Sequence, residues 1–248
     1  MRHCMFCMDS EDIASLCASL SISECDGHVQ LLDGKIMAEA INRLSLCVVG
    51  KVLSRKIVNR DAFIRVIGKI WQIKQGMDIK PVTGNTFSFH FRDEHDLKVV
   101  SGSPWCFDNA LIVLERPVSM GTIDSLVLNQ ADFWVQIHQV PLLCMTMEIG
   151  RFLGGMIGIV LEVYGGTSGD CVGKFLRIRV QVDITRPLKR YLQVDIFENK
   201  TETIMVLRYE RLPNHCFRCE MVDHTTSECR EKESGPIVNG KEVFPFGI

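Results

Sequence analysis

The chain has 248 residues, 46% of them hydrophobic and 23% charged, a composition that fits one large or two small globular domains and excludes a disordered tail, a collagen-like repeat or a coiled coil. Its longest apolar run, near residues 152–161, is broken by Gly154, Gly155 and Gly158 and falls short of the ~20 residues of a membrane helix. The formal charge of −2 conceals segregation: residues 54–80 carry 7 Lys and Arg against 2 Asp and Glu, and residues 174–218 carry 10 against 5, while 1–43 (3 against 7) and 81–173 (4 against 10) are acidic. Two basic segments of this kind either converge on a phosphate-binding face or remain solvated faces balanced by the acidic segments. Asp9, Glu11 and Asp12 stand where the apolar core of a secretory signal would lie, so an intracellular protein, nuclear or cytoplasmic, is expected.

From Ser10 the spacing of Ile13, Leu16, Cys17 and Leu20 predicts a short amphipathic helix. Asp26-Gly27 and Asp33-Gly34 read as turns in an N-terminal segment, 1–43, that is otherwise ambiguous. A strand at 46–52 is followed by a helix from Asn59 or Asp61, with Phe63, Val66, Ile67, Ile70 and Trp71 as its buried stripe. Strands at 78–82 and 86–91 flank a Gly84-Asn85 turn, a helix over 93–101 turns Leu97 and Val100 inward, and a buried strand follows at 110–114. This strand–helix–strand–strand–helix–strand order over residues 44–116 is the ferredoxin-like plan that RNA-recognition modules share, within an α+β fold class. The alternation of Phe87, Phe89 and Phe91 places them under the helices and leaves Thr86, Ser88 and His90, with Cys47, on the open sheet face. The usual aromatic stacking platform is therefore not expected on this sheet.

Residues 117–131, opening on Pro117, read as a linker into a second α+β unit at 132–212 rich in antiparallel sheet. Its strands are expected at 133–138, 157–164, 175–183, 190–197 and 203–209, with a helix at 146–153, and the two halves share at most a loose plan. In 175–183 the apolar face is Leu176, Ile178, Val180 and Val182, which turns Arg177 and Arg179 outward. His138 is expected on the outer side of an edge-like strand. Trp71, Trp105 and Trp134 read as core.

Residues 213–231 hold the strongest motif: Cys216-x2-Cys219-x4-His224-x4-Cys229. Three thiolates and one imidazole close a tetrahedral site for one structural zinc, and a closed shell leaves no open position for catalysis. A 14-residue segment has no apolar core, so metal binding should supply nearly all of its folding energy. His215 adjoins the motif, but the spacing favours His224. A second grouping of His3, Cys4, Cys7, Cys17, Cys25 and His28 is irregular, and Cys47, Cys106, Cys144 and Cys171 read as small buried side chains. Residues 232–248 form a tail.

The sequence resembles plant proteins derived from LINE-type retrotransposons, gag-like chains that pair a domain of unknown function with a C-x2-C-x4-H-x4-C knuckle. The resemblance is carried by Leu46-Cys47-Val48-Val49-Gly50-Lys51, Pro104-Trp105-Cys106-Phe107-Asp108, Leu111-Ile112-Val113-Leu114 and Phe133-Trp134-Val135-Gln136-Ile137. It continues through Phe175-Leu176-Arg177-Ile178-Arg179-Val180, Asp183-Ile184-Thr185-Arg186-Pro187-Leu188, Tyr209-Glu210-Arg211-Leu212-Pro213 and the knuckle. It implies binding of RNA or another single-stranded nucleic acid at low specificity, zinc as the sole cofactor, and no catalysis in this chain. Glu220 and Asp223 stand where knuckles of this family carry glycines; Asp tolerates a left-handed turn and Glu does not, so strain is expected at Glu220.

No G-x-S-x-G, P-loop or H-E-x-x-H motif occurs, and Gly165-Gly166-Thr167-Ser168-Gly169 lacks a following G-K-[ST], so no enzyme, small-molecule substrate or membrane partner is expected. The leading expectation is a nucleic-acid-binding protein with Arg177, Arg179, Arg186, Lys189 and Arg190 on phosphates, helped by Arg211 and by Phe217 and Arg218 of the knuckle. The alternative is an assembly or adaptor module, self-associating or docked on other chains, whose knuckle only buttresses the fold.

Overall fold

The computed structural model describes residues 15, 30–100, 102, 104–117, 121–166, 169–196, 202–213, 215–230, 237–238 and 241–242. Residues 1–40 and 41–248 form two compact units. The helix expected from Ser10 and the irregular His3–His28 grouping lie outside the described residues. At Asp33-Gly34 the expected turn is instead the start of helix α1 (Gly34–Ser45). The Asp33 carboxylate accepts the Lys35 N–H at 2.7 Å and its carbonyl accepts the Met37 N–H, so Asp33 caps a helix rather than cornering a loop.

The first sheet follows in order: β1 (Cys47–Val52), α2 (Arg60–Ile70), β2 (Met77–Pro81), β3 (Thr86–Phe91), α3 (Glu94–Val100), β4 (Trp105–Phe107) and β5 (Ala110–Glu115). Its strands run antiparallel in the order β2-β3-β1-β5-β4. The expected succession of six elements is present, with β4 added as a short hairpin onto β5. The hairpin turns on Asp108 and Asn109, both in the left-handed region (φ 50° and 58°), which short Asx side chains tolerate.

Asn59 caps α2 by accepting the Ala62 N–H. Phe63, Ile67 and Trp71, at i, i+4 and i+8, are fully buried, whereas Val66 lies on the flank and is exposed, a correction to the expected stripe. Phe87, Phe89 and Phe91 do turn under the helices, with Phe63 4.4 Å from Phe87 and Trp71 4.8 Å from Phe89 between ring centroids. Each such buried ring contributes ~2 kcal/mol or more of hydrophobic stabilisation. Asp96 ties the end of α2 to α3 by accepting the backbone N–H groups of Lys74 and Gln75.

The opposite face of this sheet is not open. Thr86 and Ser88 are buried along with Cys47 and Val49, and Leu111 and Val113, on the same face by register, join the apolar cluster of the second sheet. Alternation assigned these residues to the right face, but only tertiary packing decides whether a face meets water.

The second sheet comprises β6 (Gln130–His138), α4 (Met147–Gly155), β7 (Ile159–Tyr164), β8 (Phe175–Asp183), β9 (Tyr191–Asp195) and β10 (Glu202–Tyr209). A short 3-10 turn at Ile123–Ser125 precedes it. The strand order is β7-β8-β6-β10-β9. Each strand occupies the place held in the first sheet by the strand five earlier, so the two sheets share one topology. The likeness is closer than the loose plan legible in the sequence, and it lacks one helix. Between β8 and β9, where α3 would fall, residues 184–190 run without helix. β6 is the central strand, paired with β8 and β10, which corrects the edge-like setting expected for His138.

Phe133, Val135, Ile137, Leu176, Ile178 and Val180 form the centre of the second core, all fully buried. Helix α4, capped by Thr146, lies on β7 and β8 through Gly150 and Gly154; a Cβ at Gly154 would stand 2.7 Å from Val160 Cγ2. A small two-stranded ribbon, β11 (Ile237–Val238) with β12 (Lys241–Glu242), falls within the expected tail. Among the described residues, no helix is long and apolar enough to cross a membrane.

Candidate metal centre and the basic residues around it

Beyond β10 the chain passes Arg211 in a left-handed conformation (φ 53°) and enters a tight turn. The Glu220 N–H donates to the Cys216 carbonyl at 2.8 Å and the Cys216 N–H to the Met221 carbonyl at 2.9 Å, which presents two thiols on one side. A 3-10 turn at Thr226–Glu228 returns the chain, stabilised by a capping box between Thr225 and Glu228, and ends on Cys229. The Phe217 N–H donates to Thr226 Oγ1 at 2.9 Å and holds the two turns together.

The ligand atoms of Cys216, Cys219, His224 and Cys229 all lie within 4.8 Å of one another, and Cys219 Sγ is 3.4 Å from His224 Nε2. Tetrahedral zinc, with Zn–S of about 2.3 Å and Zn–N of about 2.0 Å, requires S···N edges of about 3.5 Å. The donor set and the spacing therefore fit a closed four-coordinate zinc site. The thiols are also unevenly poised. Burial raises Cys216, but N–H groups of Cys219 and Arg218 outweigh it and bring the thiol down to about 7, whereas burial and its neighbouring thiols push Cys219 up to about 12. Crowded thiols of this kind are what a divalent cation stabilises as thiolates. His215 stands outside the cluster, its ring 4.6 Å from Phe217.

The two departures from glycine have distinct structural roles. Asp223 accepts from His224 Nδ1 at 2.6 Å, which fixes the ring with Nε2 toward the thiols. Asp223→Ala is expected to weaken zinc affinity about 10- to 100-fold, measured by competition with a chromophoric chelator, while Asp223→Asn retains most of it. Glu220 does occupy the left-handed region (φ 68°), at a cost of ~1–2 kcal/mol for a residue with a Cβ. Its carboxylate lies 3.4 Å from Arg190, and its carbonyl accepts the Leu188 N–H at 3.1 Å. Strain in the turn is thus offset in part by a link to the segment that stands in for the missing helix.

The knuckle is not the coreless appendage that its length suggests. Val222 is 2% exposed and belongs to the apolar cluster of the second sheet, and Cys216 is fully buried. Arg55, beside the first sheet, donates to the Glu228 carbonyl, and Lys56 pairs with the Glu228 carboxylate at 3.8 Å. Packing against both sheets shares with the metal the task of holding these residues.

The basic side chains do not form one free phosphate-binding face. Arg177 and Arg179 do face outward, but Arg177 makes a bidentate pair with Glu210 (2.8 and 2.9 Å) and lies 3.9 Å over the Trp134 ring. Arg179 pairs with Asp132 at 3.2 Å. The Arg177 hydrogen bonds hold the Glu210 carboxyl below its usual range. Arg190 serves Glu220, Lys189 donates to the Met156 carbonyl, and exposed Arg186 lies 3.5 Å from Asp183. Arg211 is exposed, and Phe217 and Arg218 are half-buried at the knuckle. The partners of Arg177 and Arg179 come from strands 33 and 47 residues distant in sequence, a pairing that local alternation does not reveal. Trp134, read as core, lies instead beneath Arg177 on the outward face of β6.

Residues 40–118 match a family described as a domain of unknown function, DUF4283. Residues 182–231 match a zinc knuckle. Together the two matches support a gag-like protein of retrotransposon type. An uncharacterized protein of Arabidopsis thaliana is 26% identical over 141 residues, which cover 57% of this chain and 44% of that protein, so the match spans less than half of the relative. The RNA-binding domain of Hrp1, solved in complex with RNA, aligns with 69% of this chain and 99% of its own at 13% identity. Its TM-score of 0.27 is too low to bear on the argument.

Proposed function

We propose that this chain is a non-catalytic, zinc-knuckle nucleic-acid-binding protein of plant LINE-type retroelement origin, acting in the nucleus or cytoplasm on RNA or single-stranded DNA with low sequence preference. The observation that carries the reading is the convergence of Cys216, Cys219, His224 and Cys229, with Phe217 and Arg218 on the same turn as stacking and cationic groups. Zinc held by these four residues would have no open position, so its part is structural. Binding measured by anisotropy across a salt series, with and without chelator, tests this. Log affinity is expected to fall linearly with log salt, and Cys219→Ser to lose part of it. Undetectable binding at low salt, with zinc bound and the protein self-associated, would overturn the reading.

One set of contacts favours the alternative of an assembly module. Val222, Glu220 and Glu228 fasten the knuckle to the two sheets, as expected of a buttress. On that alternative, zinc removal destabilises the fold and changes self-association without altering nucleic-acid affinity.

A further inference from the structure

The two sheets share a topology but differ in what their outward faces offer. On the first, Cys47, Val49, Thr86 and Ser88 are buried. On the second, register places Tyr191, Val206, His138 and Phe175 in one row across β9, β10, β6 and β8. The next row, across β10, β6, β8 and β7, is Arg208, Gln136, Arg177 and Tyr164. Tyr164 is 63% exposed and Tyr191 47%, with Val206 and Arg208 exposed between the rings. The rings are also held in place. His138 and Phe175 lie 5.1 Å apart between centroids, Gln136 Oε1 is 3.1 Å from His138 Nε2, and Arg177 lies 5.6 Å from Tyr164 while its other side rests on Trp134.

We propose that these two rows form a second nucleic-acid site, a stacking platform for successive unpaired bases of RNA or single-stranded DNA. The inference deepens the nucleic-acid reading above and rests on it. Its chemistry is that of single-strand recognition: rings and a guanidinium plane accept bases of any identity by stacking, and cations beside them meet the phosphates. Arg208 lies within the rows, and exposed Lys174 precedes Phe175 at their end. The carboxylates of this face lie outside the two rows. Asp132 and Asp183 lie toward one end, Glu202 and Asp195 beyond the other, and Glu210 is held by Arg177. The knuckle and this platform would be separate contacts on one strand.

The test uses the full-length zinc-loaded protein and a fluorescent oligouridylate about ten nucleotides long, long enough to cover several stacked positions. Tyr164→Ala and the double variant Tyr164→Ala/Phe175→Ala are compared with wild type, after thermal melts establish that each is folded. Tyr164→Ala is expected to weaken binding about 5- to 10-fold and the double variant about 50-fold or more, while Tyr164→Phe restores wild-type affinity. Wild-type binding unchanged in the folded alanine variants overturns the platform and leaves the knuckle reading standing. Absence of wild-type binding overturns both. A dimer dissolved by Tyr164→Ala with oligouridylate affinity unaltered assigns the face to protein contacts and likewise overturns the proposal.

Discussion

Cys219→Ser is expected to lower the melting temperature of the whole protein by about 10 °C, and chelation of the wild type is expected to produce the same shift. The size follows from how the knuckle is anchored. Without metal the turn that holds Cys216 and Val222 loses its closure, and burial of Val222 alone is worth ~1.5–3 kcal/mol. The Glu220 turn, already in a left-handed conformation, then has no reason to persist, and the Leu188 and Arg190 contacts are lost with it. Differential scanning fluorimetry with and without chelator measures both shifts, and chelator should have no further effect on the variant. A melting temperature unchanged by either treatment would mean that the knuckle is independent of the body.

Gly158→Ala is expected to be the most damaging single methyl addition in the second sheet. The new Cβ would stand 2.2 Å from the Gln181 carbonyl oxygen, which is backbone and has no rotamer to yield. Relief requires β7 to part from β8, at about 3 kcal/mol or more. Gly155→Ala, three residues earlier at the end of α4, meets nothing within 4 Å and should be neutral or stabilising by about 0.5–1 kcal/mol. Chemical denaturation of the pair isolates the steric effect from the loss of glycine as such. Equal stabilities would contradict the close approach of α4, β7 and β8.

The elements were legible where the pattern was local. Alternation in β3 and β8 assigned every side chain to its face, and the spacing of Cys216, Cys219, His224 and Cys229 marked the metal ligands. What escaped was non-local. Nothing near Arg177 announces Glu210, and nothing near Thr86 or Ser88 announces that their face would be covered. β4 was missed because its turn uses Asp108-Asn109 rather than the usual Asn-Gly or Asp-Gly pair. The α1 N-terminus was missed because Asp33-Gly34 serves equally as a turn and as a cap followed by the first helical residue. The shared topology of the two halves was hidden because the second replaces a helix with an extended segment and binds the knuckle against it. The Asp223 contact was hidden for the opposite reason. The comparison with glycine marks Asp223 as a departure from pattern, and only the geometry shows its carboxylate seated on His224.

The account depends on the four convergent ligands holding zinc, and metal content tests that most directly. Elemental analysis of the purified, exhaustively dialysed protein should find about one equivalent of zinc per chain, falling to background in Cys219→Ser. Fewer than about 0.3 equivalents in the wild type, with the protein folded and its thiols reduced, would contradict it.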